Sequence, residues 1–220
     1  MAKSVLIYSG GLDSTVLLYK LLSEGYEPLC LSVDYGQRHR REIYSAGTIC
    51  ENLGLSHKIV NLCSLNDLLS SSALTNQNLE VPEGHYTDSS MKATVVPNRN
   101  MVLLSLGIAW AVNEKAESVS YAAHAGDHTI YPDCRPEFVK AMEEASRLCD
   151  WHEVKLETPF LNMSKTEIVA LGSSLSVPFE ATWSCYKGGE KHCGKCGTCV
   201  ERIEAFKDSG VADPTEYEDL

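Results

Sequence analysis

YSGGLDST, residues 8–15, stands between two apolar runs, and its reading decides the fold. KSVLIY, residues 3–8, reads as a buried strand; TVLLYKLL, residues 15–22, reads as a helix stopped by Gly25. A glycine turn that hands a chain from strand to helix exposes free backbone N–H groups at the positive end of the helix dipole, which favours an anion. Gly10 and Gly11 let the backbone approach a phosphate with no Cβ in the way. A P-loop is excluded, because Leu12 and Asp13 follow Gly11 where a lysine is needed. The dinucleotide fingerprint lacks its third glycine.

The rest of the chain repeats this strand-to-helix alternation. Strands are expected at 3–8, 28–34, 57–62, 118–124 and 153–157, and helices at 13–24, 40–53, 98–113, 135–150 and 164–175. Such a series implies an α/β fold: a doubly wound, mainly parallel sheet with helices on both faces. Ligands in that architecture bind beyond the carboxyl ends of the strands, where strand order reverses. Residues 63–95 lack periodicity, and a loop of that length is usually functional or mobile. Two units are expected: a nucleotide-binding domain over 1–177 and a cysteine-bearing segment over 178–220 packed on it. The closing DPTEYEDL, residues 213–220, is expected to fray.

The totals narrow the function. The 220 residues carry 19 basic against 30 acidic side chains, a net charge of −11. That balance disfavours a nucleic-acid partner. The basic run QRHRRE, residues 37–42, reads as a solvated helix start rather than a binding patch. The apolar stretch Met101–Val112 is too short to span a bilayer, and residues 4–8 are too short for a secretory h-region. With nine cysteines and no secretory signature, a reducing, cytoplasmic setting is expected.

Four of those cysteines carry the sharpest signal. Cys185, Cys193, Cys196 and Cys199 are spaced C-x7-C-x2-C-x2-C. Four thiolates suit tetrahedral, structural zinc; an iron–sulfur cluster is the rival, though no proline follows the last cysteine. Gly194 and Gly197 relax the turn that aims N–H groups at sulfur, and a helix is expected from Cys196 to Lys207. His192 is a spare ligand that four thiols make unnecessary. Cys30, Cys50, Cys63 and Cys149 read as packing residues.

SGGLDS, residues 9–14, resembles the pyrophosphate loop of ATP pyrophosphatases. That resemblance implies binding of ATP with Mg2+ by Tyr8, Ser9, Gly10, Gly11, Leu12, Asp13, Ser14 and Thr15, helped by Val33 and by Arg99 of PNRN. Ser9, Ser14 and Thr15 offer hydroxyls, while Asp13 either caps the helix or meets the magnesium ion. Lys165 of NMSKTEI opens a late helix capped by Ser164 or Asn162; in related synthetases such a lysine meets the phosphates. Asp13, Ser14 and Lys165 are the catalytic candidates; surface charge is the plainer alternative for Lys165 and Arg99.

Across nearly its whole length the chain is similar to the 7-cyano-7-deazaguanine synthase family of queuosine biosynthesis. The similarity rests on SGGLDS (9–14), VDYGQRH (33–39), VPNRN (96–100), HAGDHTIYPDCRPEF (124–138), SKTEI (164–168) and the four cysteines. It implies a ligase that converts 7-carboxy-7-deazaguanine and ammonia to a nitrile at the expense of two ATP, through an acyl-adenylate, an amide and an adenylated amide. A guanine-like edge offers paired donors that one carboxylate accepts. Asp127 or Asp133 is expected to read it, each with capping as its alternative, and Arg135 to hold the substrate carboxylate or lie on the surface. A second metal site at His124 and His128, and a nucleophilic Cys134, are disfavoured. No stretch is free for a glutamine-hydrolysing domain, so the nitrogen comes from free ammonia or another protein. Relatives pair as homodimers, by analogy. The rival readings are a tRNA thiolation or lysidine-type ligase, and an inert scaffold carrying a zinc module.

Overall fold

A computed structural model describes residues 1–86 and 89–218. Five parallel strands, β1 (Lys3–Ile7), β2 (Glu27–Asp34), β3 (His57–Asn61), β4 (Ser118–Ser120) and β5 (Lys155–Glu157), form one sheet in the order β3-β2-β1-β4-β5. Order reverses at β1, which lies between β2 and β4. This is the expected doubly wound architecture. β1 and β2 are buried along almost their whole length, as a sheet covered on both faces requires. The hydroxyls buried within it satisfy one another: Ser4 Oγ lies 3.0 Å from Ser120 Oγ and accepts from Ser118 Oγ at 2.9 Å.

Two apolar layers cover the sheet. On one side pack α1 (Leu12–Ser23), α2 (Arg41–Leu53), α5 (Lys165–Ser174) and α6 (Gly197–Ser209), through Leu17, Ile49, Ile168 and Phe206. On the other pack α3 (Arg99–Glu114) and α4 (Pro136–Arg147), through Leu104, Ile108, Val139 and Met142. Ser164 is the cap of α5, in a capping box with Glu167: the Glu167 N–H donates to Ser164 Oγ at 3.3 Å, and the Ser164 N–H to Glu167 Oε2 at 2.7 Å.

The departures from the sequence expectations have physical causes. β4 ends at Ser120 instead of 124, because β1 has already left the ladder for the glycine turn and β5 stops at Glu157. Residues 121–124 are thereby freed to line a cleft. Over 63–95 the described chain forms two 3-10 stretches, Cys63–Leu69 and Ser89–Thr94, and buries Ala73, Leu74 and Met91. The tail does not fray over residues 213–218: the His192 N–H donates to the Glu216 carbonyl at 3.2 Å, and the Glu218 N–H to the His192 carbonyl at 2.7 Å. Asp219 and Leu220, part of that expectation, lie outside the described residues. QRHRRE is no solvated helix start. Gln37 and His39 are buried, Arg38 donates to the carbonyls of Asn76 and Leu79, and Arg41 donates to that of Gly189 and covers the Trp183 ring. Cys30 and Cys50 pack as expected, whereas Cys63 and Cys149 are exposed.

Gly10 shows why the corner needs glycine. Its φ is +83°, and a Cβ there would stand 2.1 Å from the Glu42 carbonyl oxygen at the start of α2. Gly10→Ala is expected to cost about 3 kcal/mol of stability, from strain and overpacking against backbone that cannot yield. A denaturant midpoint equal to that of the parent would refute this.

Candidate active site

A cleft of about 220 Å3 opens beyond the carboxyl ends of β1, β2 and β4, at the reversal of strand order. The glycine corner forms one side of it. Gly11 precedes the first turn of α1, and Thr15 N–H is the first amide of that turn to bond back, to the Gly11 carbonyl at 3.0 Å. The amides of Leu12, Asp13 and Ser14 have no intrahelical partner, as at any helix start. The hydroxyls shape the corner: Ser9 Oγ takes the Gly11 N–H at 3.1 Å and lies 3.1 Å from Ser14 Oγ, and Thr15 Oγ1 donates to the Gly11 carbonyl at 2.8 Å. Tyr8 braces Thr15 from beneath, its hydroxyl 3.3 Å away. Asp13 makes no side-chain cap.

Asp13 instead meets Lys165. The Lys165 Nζ donates to Asp13 Oδ2 at 2.5 Å and lies 3.2 Å from Glu201 Oε2 and 3.2 Å from His124 Nε2. Burial by itself pushes the Asp13 carboxyl up, but Lys165 and His124 outweigh it and hold it below the ordinary value. Burial disfavours the Lys165 charge, yet Asp13, Glu201 and Asp127 together keep its ammonium above the ordinary lysine value. Glu201 shows the reverse balance: burial pushes its carboxyl up, and Lys165 only partly offsets this. Four elements thus converge, since Asp13 starts α1, Lys165 starts α5, Glu201 lies on α6, and His124 follows β4.

The other sequence candidates are placed as follows. Val33 and Arg99 line the cleft, Arg99 with its guanidinium over the Tyr131 ring. Asp127 also lines it, accepting from the Tyr86 hydroxyl at 3.0 Å and from the His124 N–H at 3.2 Å. Asp133 is turned to α3, accepting the Asn100 N–H at 3.0 Å, and Arg135 donates to the His128 carbonyl at 2.8 Å. Neither Asp133 nor Arg135 is on the cleft wall. Sequence reasoning missed Glu201, Tyr35, Tyr121, Trp183 and Tyr186. For Glu201 a faint signal existed, its position two residues past Cys199 on the expected helix.

The four cysteines come together: their sulfurs all lie within 4.8 Å of one another, with Cys196 Sγ 3.5 Å and Cys193 Sγ 4.0 Å from Cys199 Sγ. The edges of a tetrahedron with zinc–sulfur bonds of about 2.3 Å are about 3.8 Å, so the set fits a metal ion. The N–H groups of Lys195 and Cys196 point at Cys193 Sγ, at 3.4 and 3.2 Å. Gly194 has the positive φ, +68°, that such a turn uses; Gly197 is glycine for another reason, since a Cβ there would lie 2.6 Å from Met91 Sδ. His192 is not a ligand here: its Nε2 accepts the Ser184 N–H at 3.1 Å and its ring packs on Trp183, burial lowering its pKa to about 4.

This centre reaches the cleft through short covalent links. Trp183, Ser184, Tyr186 and Thr198 all line the cleft, and the Trp183 N–H donates to the Gly10 carbonyl at 3.1 Å. A buried Arg202 locks the arrangement, donating to Thr182 Oγ1, Ser184 Oγ and the Phe179 carbonyl and lying 3.5 Å from Asp213 Oδ1. Burial raises the Asp213 carboxyl, but the Thr215, Tyr217 and Arg202 contacts more than offset it, leaving it below the ordinary value. A depressed carboxylate contributes stability that is present above the unfolded pKa of about 3.9 and is lost as pH falls through the folded value. Asp213→Asn is therefore expected to cost about 1–3 kcal/mol near neutrality. Its deficit in urea melts should shrink below about pH 4; a deficit independent of pH contradicts it.

The family described as "Queuosine biosynthesis protein QueC" matches residues 3–210. Curated relatives named 7-cyano-7-deazaguanine synthase include one from Methanoregula boonei, 56% identical over 98% of this chain and 99% of its own. Another, from Caldicellulosiruptor saccharolyticus, is 54% identical over 98% and 96%. Among solved structures, an NMN synthetase from Francisella tularensis superposes with a TM-score of 0.52 at 15% identity, covering 96% of this chain and 78% of that one. A predicted subunit of tRNA methyltransferase from Methanocaldococcus jannaschii gives 0.51 at 13% identity, covering 100% and 93%. At such identities these two share a fold with this chain. Among the described residues, no helix is long and apolar enough to cross a membrane.

Proposed function

Since the chain belongs to the QueC family of queuosine biosynthesis proteins, we propose that it is an ATP-dependent carbon–nitrogen ligase that makes 7-cyano-7-deazaguanine from 7-carboxy-7-deazaguanine and ammonia. The observation that carries this reading is the glycine corner with Lys165 beside it, in one cleft with an arginine and an acid suited to the substrate.

The triphosphate tail lies on the free amides of Leu12, Asp13 and Ser14, with Gly10 and Gly11 leaving the backbone open to it. Lys165 and these amides take up the charge that develops as pyrophosphate departs. The adenosine lies against Tyr8 and Val33. The substrate carboxylate attacks the α-phosphorus of ATP; the bond to the β-phosphate oxygen breaks, and pyrophosphate leaves. Ammonia then adds to the acyl carbon and AMP departs, leaving the amide. The amide oxygen attacks the second ATP, again expelling pyrophosphate. Loss of AMP, with the nitrogen giving up its protons, forms the nitrile. Asp127, on the cleft wall, reads the paired donors of the base edge; Asp133, fixed to α3, and Arg135, bonded to a carbonyl, support the loop that carries it.

Asp13 Oδ1 is buried and lacks a hydrogen-bond partner, so it is the oxygen available to Mg2+, which neutralises phosphate charge when bound. The cysteine centre holds zinc in a closed, structural site. Residues 1–177 supply the phosphate corner, and 178–220 is a second unit packed against it. The partners are small molecules, with no nucleic acid or membrane; the nitrogen arrives as free ammonia or from another protein, the protein is cytoplasmic, and it pairs as a homodimer.

Mass analysis of products tests the reading. It requires AMP and pyrophosphate, two of each per nitrile, with the amide appearing before the nitrile. ADP as product, or turnover that needs tRNA, would favour another enzyme. Nucleotide binding with no turnover would favour the scaffold.

A further inference from the structure

The cleft has two chemically different walls, one on each side of the sheet. The wall of α1 and α5 carries the glycine corner and Lys165. The opposite wall belongs to the α3 layer and is built from tyrosines around Arg99. Burial disfavours the Arg99 charge, while Tyr35, Tyr186, Cys134 and Asp133 around it hold the guanidinium well above the ordinary value. It stays charged. No carboxylate forms a salt bridge with it among the described residues, and Asp133 has already given Oδ2 to the Asn100 N–H. A half-buried guanidinium on the cleft wall with no salt-bridged carboxylate is suited to an anion that enters the cleft.

A buried polar group on this wall lacks a partner. The Tyr121 hydroxyl is buried and has no hydrogen-bond partner, and the residue is only 5% exposed. Burial pushes its phenol far up, so it is neutral and can both donate and accept. Flat aromatic surface with one charged fork and one lone hydroxyl suits a flat heteroaromatic acid. The triphosphate has its own seat across the sheet, so it does not account for Arg99.

We propose that this wall is the seat of the acid substrate, with Arg99 taking the carboxylate as a bidentate pair and the Tyr121 hydroxyl bonding a ring heteroatom. The assignment rests on the carboxylate-adenylating reading above, and it gives Arg99 to the acid instead of to ATP. The carboxylate would then sit between the walls, with its free edge toward the α-phosphorus.

The test uses the full-length protein and purified 7-carboxy-7-deazaguanine. Equilibrium titration of this acid without ATP is measured for the parent, Arg99→Met, Arg99→Lys and Tyr121→Phe. Steady-state pyrophosphate release is then measured with each substrate varied. Loss of a charge-assisted bidentate contact is worth about tenfold to a hundredfold in affinity. Arg99→Met should weaken acid binding by that factor and leave the KM for ATP within about twofold. Arg99→Lys, which keeps charge but not the fork, should recover only part. Tyr121→Phe should weaken acid binding about threefold to tenfold. A KM for ATP that rises in step with that for the acid overturns the proposal, as does unchanged acid binding in Arg99→Lys and Tyr121→Phe, or a parent that does not bind the acid. A parent that binds the acid through Arg99 but releases no pyrophosphate keeps this subsite and sinks the ligase reading instead.

Discussion

Lys165→Met is expected to slow pyrophosphate release about 10²–10³-fold, the loss that follows removal of one donor from a developing oxyanion. The lysine is fastened between Asp13 and Glu201 before any nucleotide arrives, so its ammonium is already oriented. Preorganisation of that kind acts on the transition state, so kcat should fall far more than the KM for ATP rises. The substitution leaves two buried carboxylates, Asp13 and Glu201, without their cation, and a thermal melt must accompany the kinetics. Lys165→Met/Glu201→Gln relieves one of them and should recover stability without recovering rate. A double variant that regains near-parent turnover would show that the lysine merely balances charge.

Cys196→Ser, or removal of the metal with a chelator, is expected to abolish turnover, at least about a hundredfold, although none of the four cysteines lines the cleft. Structural zinc sites supply roughly 10 kcal/mol of apparent folding free energy. On the proposed zinc reading that energy would hold the segment from Trp183 to Thr198 against the glycine corner, through the Trp183–Gly10 bond and the Thr198 hydroxyl that donates to the Ser184 carbonyl at 2.8 Å. Metal analysis should give one zinc per chain in the parent and none in the variant. The variant should also gain protease sensitivity after Phe179. Full activity in metal-free protein would show the segment to be self-supporting; visible absorption near 400 nm would point to iron and sulfur instead.

The fold was largely legible because strand and helix period are local properties. Val5 to Ile7 and Val16 to Leu21 announce their elements without help from distant residues. The cysteine set was legible for the same reason, as three of its members lie within seven residues. Long-range placement was not. Nothing in the neighbourhood of Glu201 says that α6 will turn it onto a lysine from another helix. Tyr35, Tyr86, Tyr121 and Tyr186 come from four separated stretches, and a wall of them exists only after the sheet closes. The arginines of QRHRRE looked free because their partners, Asn76, Leu79 and Gly189, lie about 40 to 150 positions onward. The tail looked like a loose acidic end until Asp213 met Arg202.

The contact between Trp183 and Gly10 also sets an order of events during biosynthesis. The glycine corner precedes the residues that back it by more than 170 positions, so it is synthesised well before them. A nascent or truncated chain ending before the cysteines has the loop but not its support, and it should hydrolyse no nucleotide wastefully. On the proposed reading, turnover would need both the downstream segment and an ion at the four cysteines, so cellular metal supply would gate maturation.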